Sequence, residues 1–171
     1  MSEDNAENLF FEADQLIEEN KIIEAKEVLR DLLNEYPDYG RAHNHLGWLY
    51  SVKFNNHPKA KNHLELAIKF APNHQGVYTN YAYLLIEMNL FDQMLVFGKK
   101  AIDNNIADKG TIYNKMGQAY ELKGELMNAF KQYKLSVKSA INNQFIDEVY
   151  ASVNRVKSKM SILQKLKLIN D

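Results

Sequence analysis

Five histidines are the side chains of this 171-residue sequence best suited to binding a metal ion. His43 and His45 are two residues apart, so on a helix they point to different faces and do not chelate one ion together. His57 and His63 flank a predicted turn and helix start, and His74 stands alone in a junction. The spacing therefore predicts surface or capping histidines, with no metal and no other cofactor.

Signatures of catalysis are missing from the sequence as well. It contains no glycine-rich phosphate loop, no GxSxG elbow and no HExxH pair. Because there is no cysteine, a disulfide framework, a thiolate metal site and a cysteine nucleophile are excluded. The carboxylates of residues 1–39 fall mostly at exposed helical positions, where solvated charge is expected. We predict that the protein is not an enzyme.

The composition is that of an ordinary globular protein, with 46% hydrophobic and 25% charged residues. Three prolines and seven glycines are few for a strand-rich fold and suit long helices, so we predict an all-α protein. The amino terminus is acidic where a secretory signal would be basic, and no apolar run approaches the roughly 20 residues that span a bilayer. A cytoplasmic protein with no membrane partner is expected.

Small residues recur along the chain with a period of 34 or 35 residues, which is typical of helical repeat proteins. Two interleaved series show this period, and they consist of Ala13, Gly47, Ala82 and Gly117 and of Ala25, Ala60, Met94 and Ala129. Two helices approach closely only where one presents a small side chain, with large neighbours beside the crossing. Two series therefore predict two helices in each repeat.

The turns between the paired helices agree with this register. Asn20, Asn89 and Gly124 fall at equivalent places, and these residue types tolerate a left-handed backbone. The second helices of the first two repeats are predicted to end before Pro37 and Pro72, because proline cannot continue a helix.

The pattern resembles the tetratricopeptide repeat, most closely in the second and fourth repeats. The residues that carry the resemblance are Leu46, Gly47, Tyr50, Ala60, Leu64, Ala67 and Pro72, and Met116, Gly117, Tyr120, Gly124, Ala129 and Tyr133. It implies a right-handed superhelix of four helix-turn-helix repeats plus a capping helix, in one domain, residues 1–171. The expected ranges are about 6–39, 40–74, 75–109 and 110–143 for the repeats and about 144–169 for the capping helix.

In this family the first helices of the repeats build a concave wall that binds other proteins. The resemblance places on that wall Arg41, Asn44, Trp48, Thr79, Asn80, Tyr83, Asn114, Lys115, Gln118 and Glu121. Amide side chains can bond a peptide backbone in both directions, and the two large aromatics offer rigid apolar area with a polar tip. We therefore expect a scaffold or adaptor that binds a peptide segment or helix of a partner protein. The alternative for Trp48 and Tyr83 is packing between neighbouring first helices.

Some members of the family hold an acidic carboxy-terminal tail with a clamp of lysine, asparagine and arginine. Of the five clamp positions, only Asn80 and Lys115 match here. Asn44, Trp48 and Thr111 occupy the other three. The resemblance therefore does not predict an acidic-tail adaptor.

The closing segment carries apolar residues at steps of three or four for longer than a cap requires. Self-association is a possible role for four of them, Val153, Val156, Met160 and Leu163. The protein is then a homo-oligomer, a self-assembling module or a small secretion-type chaperone that uses this helix.

Charge is unevenly distributed along the chain, although the net charge is only −1. Residues 1–39 carry 12 acidic and 3 basic side chains, residues 40–109 carry 5 and 8, and residues 110–171 carry 5 and 10. A solvated face is favoured over nucleic-acid binding for the basic end, because aromatic residues are not interleaved with its basic run. The basic end could attract an acidic partner or the acidic first repeat of another copy.

Overall fold

The computed structural model describes residues 2–170, with the side chains of residues 5–168. Met1 and Asp171, which the predicted domain 1–171 includes, lie outside the described residues. The described residues form ten α-helices and no strand, so the all-helical prediction is confirmed. The helices are α1 Ser2–Glu18, α2 Ile22–Glu35, α3 Gly40–Val52, α4 His57–Phe70, α5 Gln75–Glu87, α6 Phe91–Asp103, α7 Lys109–Leu122, α8 Leu126–Ser139, α9 Asn143–Lys159 and α10 Ile162–Asn170.

The chain divides into two compact units, Met1–Leu84 (unit 1) and Leu85–Asp171 (unit 2). In unit 1, α1 packs on α2, α2 on α3 and α3 on α4. In unit 2, α6 packs on α7, α7 on α8 and α8 on α9. Consecutive helices thus pack as hairpins, which is the arrangement that the two interleaved series of small residues predict.

Glycines lie where the paired helices approach most closely. A methyl group on Gly47 of α3 would lie 2.6 Å from Cγ of Leu64 on α4. The same group on Gly117 of α7 would lie 2.7 Å from Cδ1 of Tyr133 on α8. Both distances are shorter than a carbon–carbon contact permits, so these crossings require the smallest residue.

The turns between paired helices adopt the predicted left-handed backbone. The φ angles are 58° at Asn20, 57° at Asn89 and 79° at Gly124. Asn55 and Asn105 also have positive φ angles, 47° and 54°. Asparagine and glycine are the residues that adopt this conformation at least cost, so the turn residues specify where each helix stops.

Prolines mark the ends of the second helices as predicted. The last residue of α2 is Glu35 and that of α4 is Phe70, each two residues before a proline, Pro37 or Pro72. Pro58, by contrast, lies in the first turn of α4, where its missing N–H would have no helical partner in any case.

The closing segment differs from the single helix predicted over residues 144–169. It forms two helices, because Met160 has an extended backbone and interrupts the helical path. Ser161 then caps α10, accepting a hydrogen bond on Oγ from the N–H of Gln164 at 3.2 Å. The N–H of Ser161 donates in return to Oε1 of Gln164 at 2.9 Å. This reciprocal pair is a capping box, and it starts a second helix where the apolar pattern alone indicates continuation.

Three of the four residues predicted for self-association are core residues. Val153, Val156 and Met160 are at most 4% exposed and pack in the core of unit 2 with Ala129 and Tyr133. These three side chains are therefore not at the surface, because the apolar stripe of α9 faces α8, and self-association through them stays a prediction. Leu163 on α10 is 74% exposed and remains at the surface.

Candidate protein-binding cleft

A cleft of about 220 Å³ opens in unit 1 on the side formed by α1, α3 and α5. It is lined by Ile17, Asn44, His45, Trp48 and Asn80. Three of these residues were predicted for the binding wall. The volume is below the roughly 300–1,000 Å³ of a small-molecule pocket and suits a single side chain.

Helix α3 supplies most of the cleft because its two faces differ. Asn44 and Trp48 are four residues apart and share one face. Leu46 and Leu49 on the other side of the helix are at most 1% exposed in the core of unit 1. Burial of these leucines fixes the rotation of α3 and so directs the amide and the indole toward the cleft.

Asn44 and Asn80 bond to each other within the cleft. Nδ2 of Asn80 donates to Oδ1 of Asn44 at 2.9 Å. Asn44 is 6% exposed, so its amide oxygen would lose water without a compensating partner. The bond does not use Nδ2 of Asn44, which is a donor, or Oδ1 of Asn80, which is an acceptor.

His45 is held from two sides by oxygen atoms. Its Nδ1 lies 3.1 Å from the backbone oxygen of Arg41, and its Nε2 lies 3.1 Å from Oδ1 of Asp14 on α1. The imidazole also meets the ring of Phe10 edge to face, with 4.7 Å between the centroids. These contacts fix the ring at the margin of the cleft and join α1 to α3.

Arg41, which was predicted to face a partner, is engaged with α1. Its Nη1 donates to Oε1 and Oε2 of Glu7 at 3.0 Å each, and its guanidinium lies 4.1 Å from the centroid of the Phe10 ring. Tyr39 donates to Oε1 of the same carboxylate at 2.6 Å. This hydrogen bond, together with Arg41, lowers the pKa of Glu7. The structure thus assigns Arg41 a role in joining α1 to α3.

The two predicted aromatics differ in their surroundings. Trp48 is half-buried and packs against the core of unit 1, while also lining the cleft. Nζ of Lys53 lies 5.9 Å from the centroid of the indole ring. Tyr83 on α5 is 45% exposed, and Thr79 on the same helix is half-buried. Trp48 therefore both packs on the core of unit 1 and lines the cleft, and its contact with a partner stays a prediction.

The remaining predicted wall residues lie on α7 of unit 2. Lys115 is 9% exposed, and its Nζ donates to Oε1 of Gln118 at 3.4 Å. Burial lowers the pKa of Lys115 to about 8, against the opposing effect of the carboxylate of Glu87. Asn114 and Gln118 are half-buried.

Glu121 is the centre of an ion-pair network. Its carboxylate accepts hydrogen bonds from Tyr133 at 2.9 Å, from Nε and Nη2 of Arg155 at 2.9 Å each and from Nζ of Lys159 at 2.8 Å. The Glu121 side chain is only 7% exposed. These hydrogen bonds lower the pKa of Glu121 to about 2, with the largest effect from Arg155 and smaller effects from Lys159 and Tyr133. These contacts join α7, α8 and α9, so Glu121 has a structural partner for each oxygen.

A contact between His43 and His63 was not predicted. Their Nδ1 atoms lie 3.0 Å apart, and Nε2 of His43 lies 3.0 Å from the backbone oxygen of Pro37. The register of the α3–α4 hairpin could have indicated this contact. Gly47 and Ala60 face each other, and His43 lies four residues before Gly47 while His63 lies three residues after Ala60. Burial lowers the pKa of both rings, that of His63 to about 4.

Among the described residues, no group of three or more histidine, aspartate or glutamate side chains is placed to hold a metal ion. The helices there are also too short or too polar to span a membrane.

Residues 40–74 match the tetratricopeptide repeat family. No curated protein sequence matches the chain. Its fold is similar to that of MamA, residues 41 to the end, from Desulfovibrio magneticus RS-1, with a TM-score of 0.70 and 14% identity over 92% of this chain and 98% of that one. TTC0263, a thermophilic tetratricopeptide repeat protein of Thermus thermophilus, gives a TM-score of 0.66 and 18% identity over 86% of this chain and 80% of that one.

A third structure with the same fold is YrrB, described as a tetratricopeptide repeat protein with an unusual peptide-binding site. Its TM-score is 0.66 at 14% identity, over 95% of this chain and 91% of that one. At identities this low, the structural similarity shows that the fold is shared and nothing more. Residues 40–74 therefore match one tetratricopeptide repeat, and over most of its length the chain has the fold of tetratricopeptide repeat proteins.

Proposed function

We propose that the protein is a non-catalytic, cytoplasmic interaction module whose unit 1 cleft binds an extended segment of a partner protein. The observation that carries the proposal is the pairing of Trp48 with the Asn44–Asn80 amides around one small cleft. An apolar side chain of the partner enters beside the indole ring. The partner's backbone amide bonds to Nδ2 of Asn44 and Oδ1 of Asn80.

The energetic balance of this arrangement favours a peptide. The indole supplies a large, rigid apolar surface whose ordering costs little entropy, because packing against the core of unit 1 already holds it. A peptide amide matches the remaining donor and acceptor of the two asparagines in both directions. The peptide-binding site named for YrrB supports the proposal by analogy of fold alone.

Trp48 is the sole tryptophan of the chain, so its fluorescence reports the cleft directly. A library of displayed peptides is selected against the intact protein alone. Selected peptides that carry a fluorescent label are then titrated, with the emission of Trp48 followed in the intact protein and the anisotropy of the label followed for both the intact protein and Trp48→Ala. We expect a shift in emission on binding and a Kd at least tenfold weaker for Trp48→Ala, about 1.4 kcal/mol.

Tyr150→Ala is the matched control, because Tyr150 is an aromatic residue on α9 with 44% exposure. This variant should bind the selected peptides with unchanged affinity, and circular dichroism should show both variants folded. Peptides that bind Trp48→Ala as tightly as the intact protein would place the binding surface elsewhere. A selection that yields no binder to the folded protein would overturn the proposal.

A further inference from the structure

In addition to the cleft of unit 1, the protein has an apolar groove along the outer face of α8 in unit 2. Two adjoining depressions of about 620 and 650 Å³ share Phe130 and Lys134. The first is lined by Phe130, Lys131, Lys134, Leu135, Val137 and Lys138. The second adds Lys157 and Ser158 of α9 and Lys165 and Leu168 of α10. We call both together the lysine-rimmed groove.

The floor of this groove is apolar and its rim is cationic. Phe130 and Val137 are half-buried against the core of unit 2, and Leu135 is 39% exposed. Five lysines stand around them, from α8, α9 and α10. No acidic residue occurs in residues 126–146 or 149–170. The groove therefore suits an apolar side chain flanked by carboxylates.

The lysines of α8 are available to such a partner. Lys131, Lys134 and Lys138 are exposed and lie on one helix face at i, i+3 and i+7. Among the side chains of residues 5–168, none of these three forms an ion pair. Lys157 contributes a cation above the ring of Phe130, with its Nζ 5.3 Å from the centroid.

The complementary surface lies on α1 of unit 1. Phe11 is 61% exposed there, and the exposed side of the helix around it also carries Gln15, with Glu12 and Glu18 exposed at its two margins. The opposite faces of α1 are used, because Ala13 is fully buried and Phe10 packs on α3 residues. Residues 1–39 carry 12 acidic and 3 basic side chains, so this end is also the most acidic part of the chain.

The two surfaces are similar in length and opposite in sign of charge. Glu12 and Glu18 are about 9 Å apart along α1, at the two margins of its exposed side, and Lys131 and Lys138 are about 10 Å apart along α8, at about 1.5 Å of rise per residue. We propose that the lysine-rimmed groove of one copy binds the α1 face of a second copy, with Phe11 on the apolar floor and Glu12 and Glu18 beside the lysines.

The contact joins two different surfaces, so each copy keeps a free α1 face or a free groove after it has bound a neighbour. Such a heterologous contact allows more than two copies to associate unless the rotation closes a ring. A single helix in a groove buries little area, and its charges lie at the surface. The association is therefore weak and sensitive to salt.

Sedimentation equilibrium of the full chain tests the contact at low and at high concentrations of sodium chloride. At low salt the mean mass should rise with protein concentration above the 19.8 kDa of the monomer, and at high salt it should return toward that value. Lys134→Glu and Glu12→Lys should each weaken association at least tenfold. A mixture of the two variants should associate again, because each retains one native surface and the altered surfaces are complementary to each other.

Lys99→Glu and Asp103→Lys are the controls, since both positions are exposed on α6 and the charge changes are similar. Both should associate like the intact protein. A monomer at every concentration in low salt overturns the proposal, as does equal weakening by Lys99→Glu. Binding of single-stranded RNA or of phosphatidylserine vesicles, lost in Lys134→Glu while the mass stays monomeric, would assign the groove to a polyanion instead. None of these outcomes depends on the peptide cleft of unit 1.

Discussion

Asn80 on α5 donates a hydrogen bond to Asn44 on α3, with 2.9 Å between Nδ2 and Oδ1, and both amides line the cleft of unit 1. Each was predicted to meet a partner, and in the structure they meet each other. The bond joins the two helices at the place where we propose that a peptide binds.

A double-mutant cycle measures this bond. Asn44→Ala and Asn80→Ala should each lower the free energy of unfolding, and the coupling between them should be about 0.5–1.5 kcal/mol, the net worth of one hydrogen bond. Urea unfolding followed by circular dichroism gives the values. Asn62→Ala, at an exposed position on α4, should change stability little and should not couple to either. Additive effects of the two cleft variants would show that the bond is not formed in solution.

The ion-pair network around Glu121 predicts that a substitution of this residue lowers the stability of the protein substantially. Glu121→Gln removes the charge that Arg155, Lys159 and Tyr133 stabilise. The expected loss is about 1–3 kcal/mol of unfolding free energy, typical of hydrogen bonds to a charged group. Glu148→Gln, at an exposed position on α9, is the control and should be near neutral.

The same network determines how the stability that Glu121 contributes changes with pH. The pKa of Glu121 is about 2 in the folded protein, below its ordinary value of 4.5. Its contribution is therefore present above pH 4.5 and is lost as pH falls toward 2. The difference in stability between the intact protein and Glu121→Gln should shrink as the pH is lowered from about 6 to about 3. A constant difference over that range would contradict the assigned network.

The repeat explains which features of the fold the sequence predicts well. Recurrence at 34 or 35 residues identified Gly47 and Gly117 at helix crossings and Asn20 and Asn89 in left-handed turns. Such positions are constrained by sterics that only small or left-handed-tolerant residues satisfy, so residue type alone reveals them. The separation of α9 from α10 was harder to predict. It depends on the capping box of Ser161 and Gln164, while the apolar periodicity continues past this point.

The partners of the predicted wall residues were less predictable. Arg41 and Glu121 lie on the expected helices, yet their charges are satisfied by Glu7 and by Arg155 and Lys159. These partners are 34 or more residues distant along the chain. Helical periodicity gives the face of a side chain, whereas its partner depends on how neighbouring helices are placed and which long side chain reaches across.

The contact of His43 with His63 predicts loss of stability in mild acid. The pKa of His63 is about 4 in the folded protein, chiefly because of burial and also because of His43 and Lys59, against an ordinary 6.5. Between these values the unfolded chain binds more protons, so stability should fall as pH decreases from 6.5 to 4. His63→Gln should reduce this decrease, measured by urea unfolding at about pH 7 and about pH 5. His74→Gln, at an exposed position, should leave it unchanged.

At two glycines of unit 2, Gly98 and Gly117, an added methyl group would clash with a neighbouring side chain, and the two neighbours differ in flexibility. A methyl group on Gly117 would lie 2.7 Å from Cδ1 of Tyr133, a ring that is 1% exposed and bonded to Glu121. A methyl group on Gly98 would lie 2.8 Å from Cγ and Sδ of Met116 and 3.2 Å from Cε of Met94. Methionine adapts by rotating unbranched bonds, whereas a buried phenol ring cannot.

Gly117→Ala should therefore destabilise the protein by about 1–3 kcal/mol through overpacking. Gly98→Ala should cost much less, because alanine is about 1 kcal/mol better than glycine inside a helix and offsets the displacement of the methionines. For a chain of this length each kcal/mol moves Tm by about 2–4 °C, so thermal unfolding separates the two variants. If both lowered Tm equally, the distance to the neighbour and not its stiffness would decide the cost at these crossings.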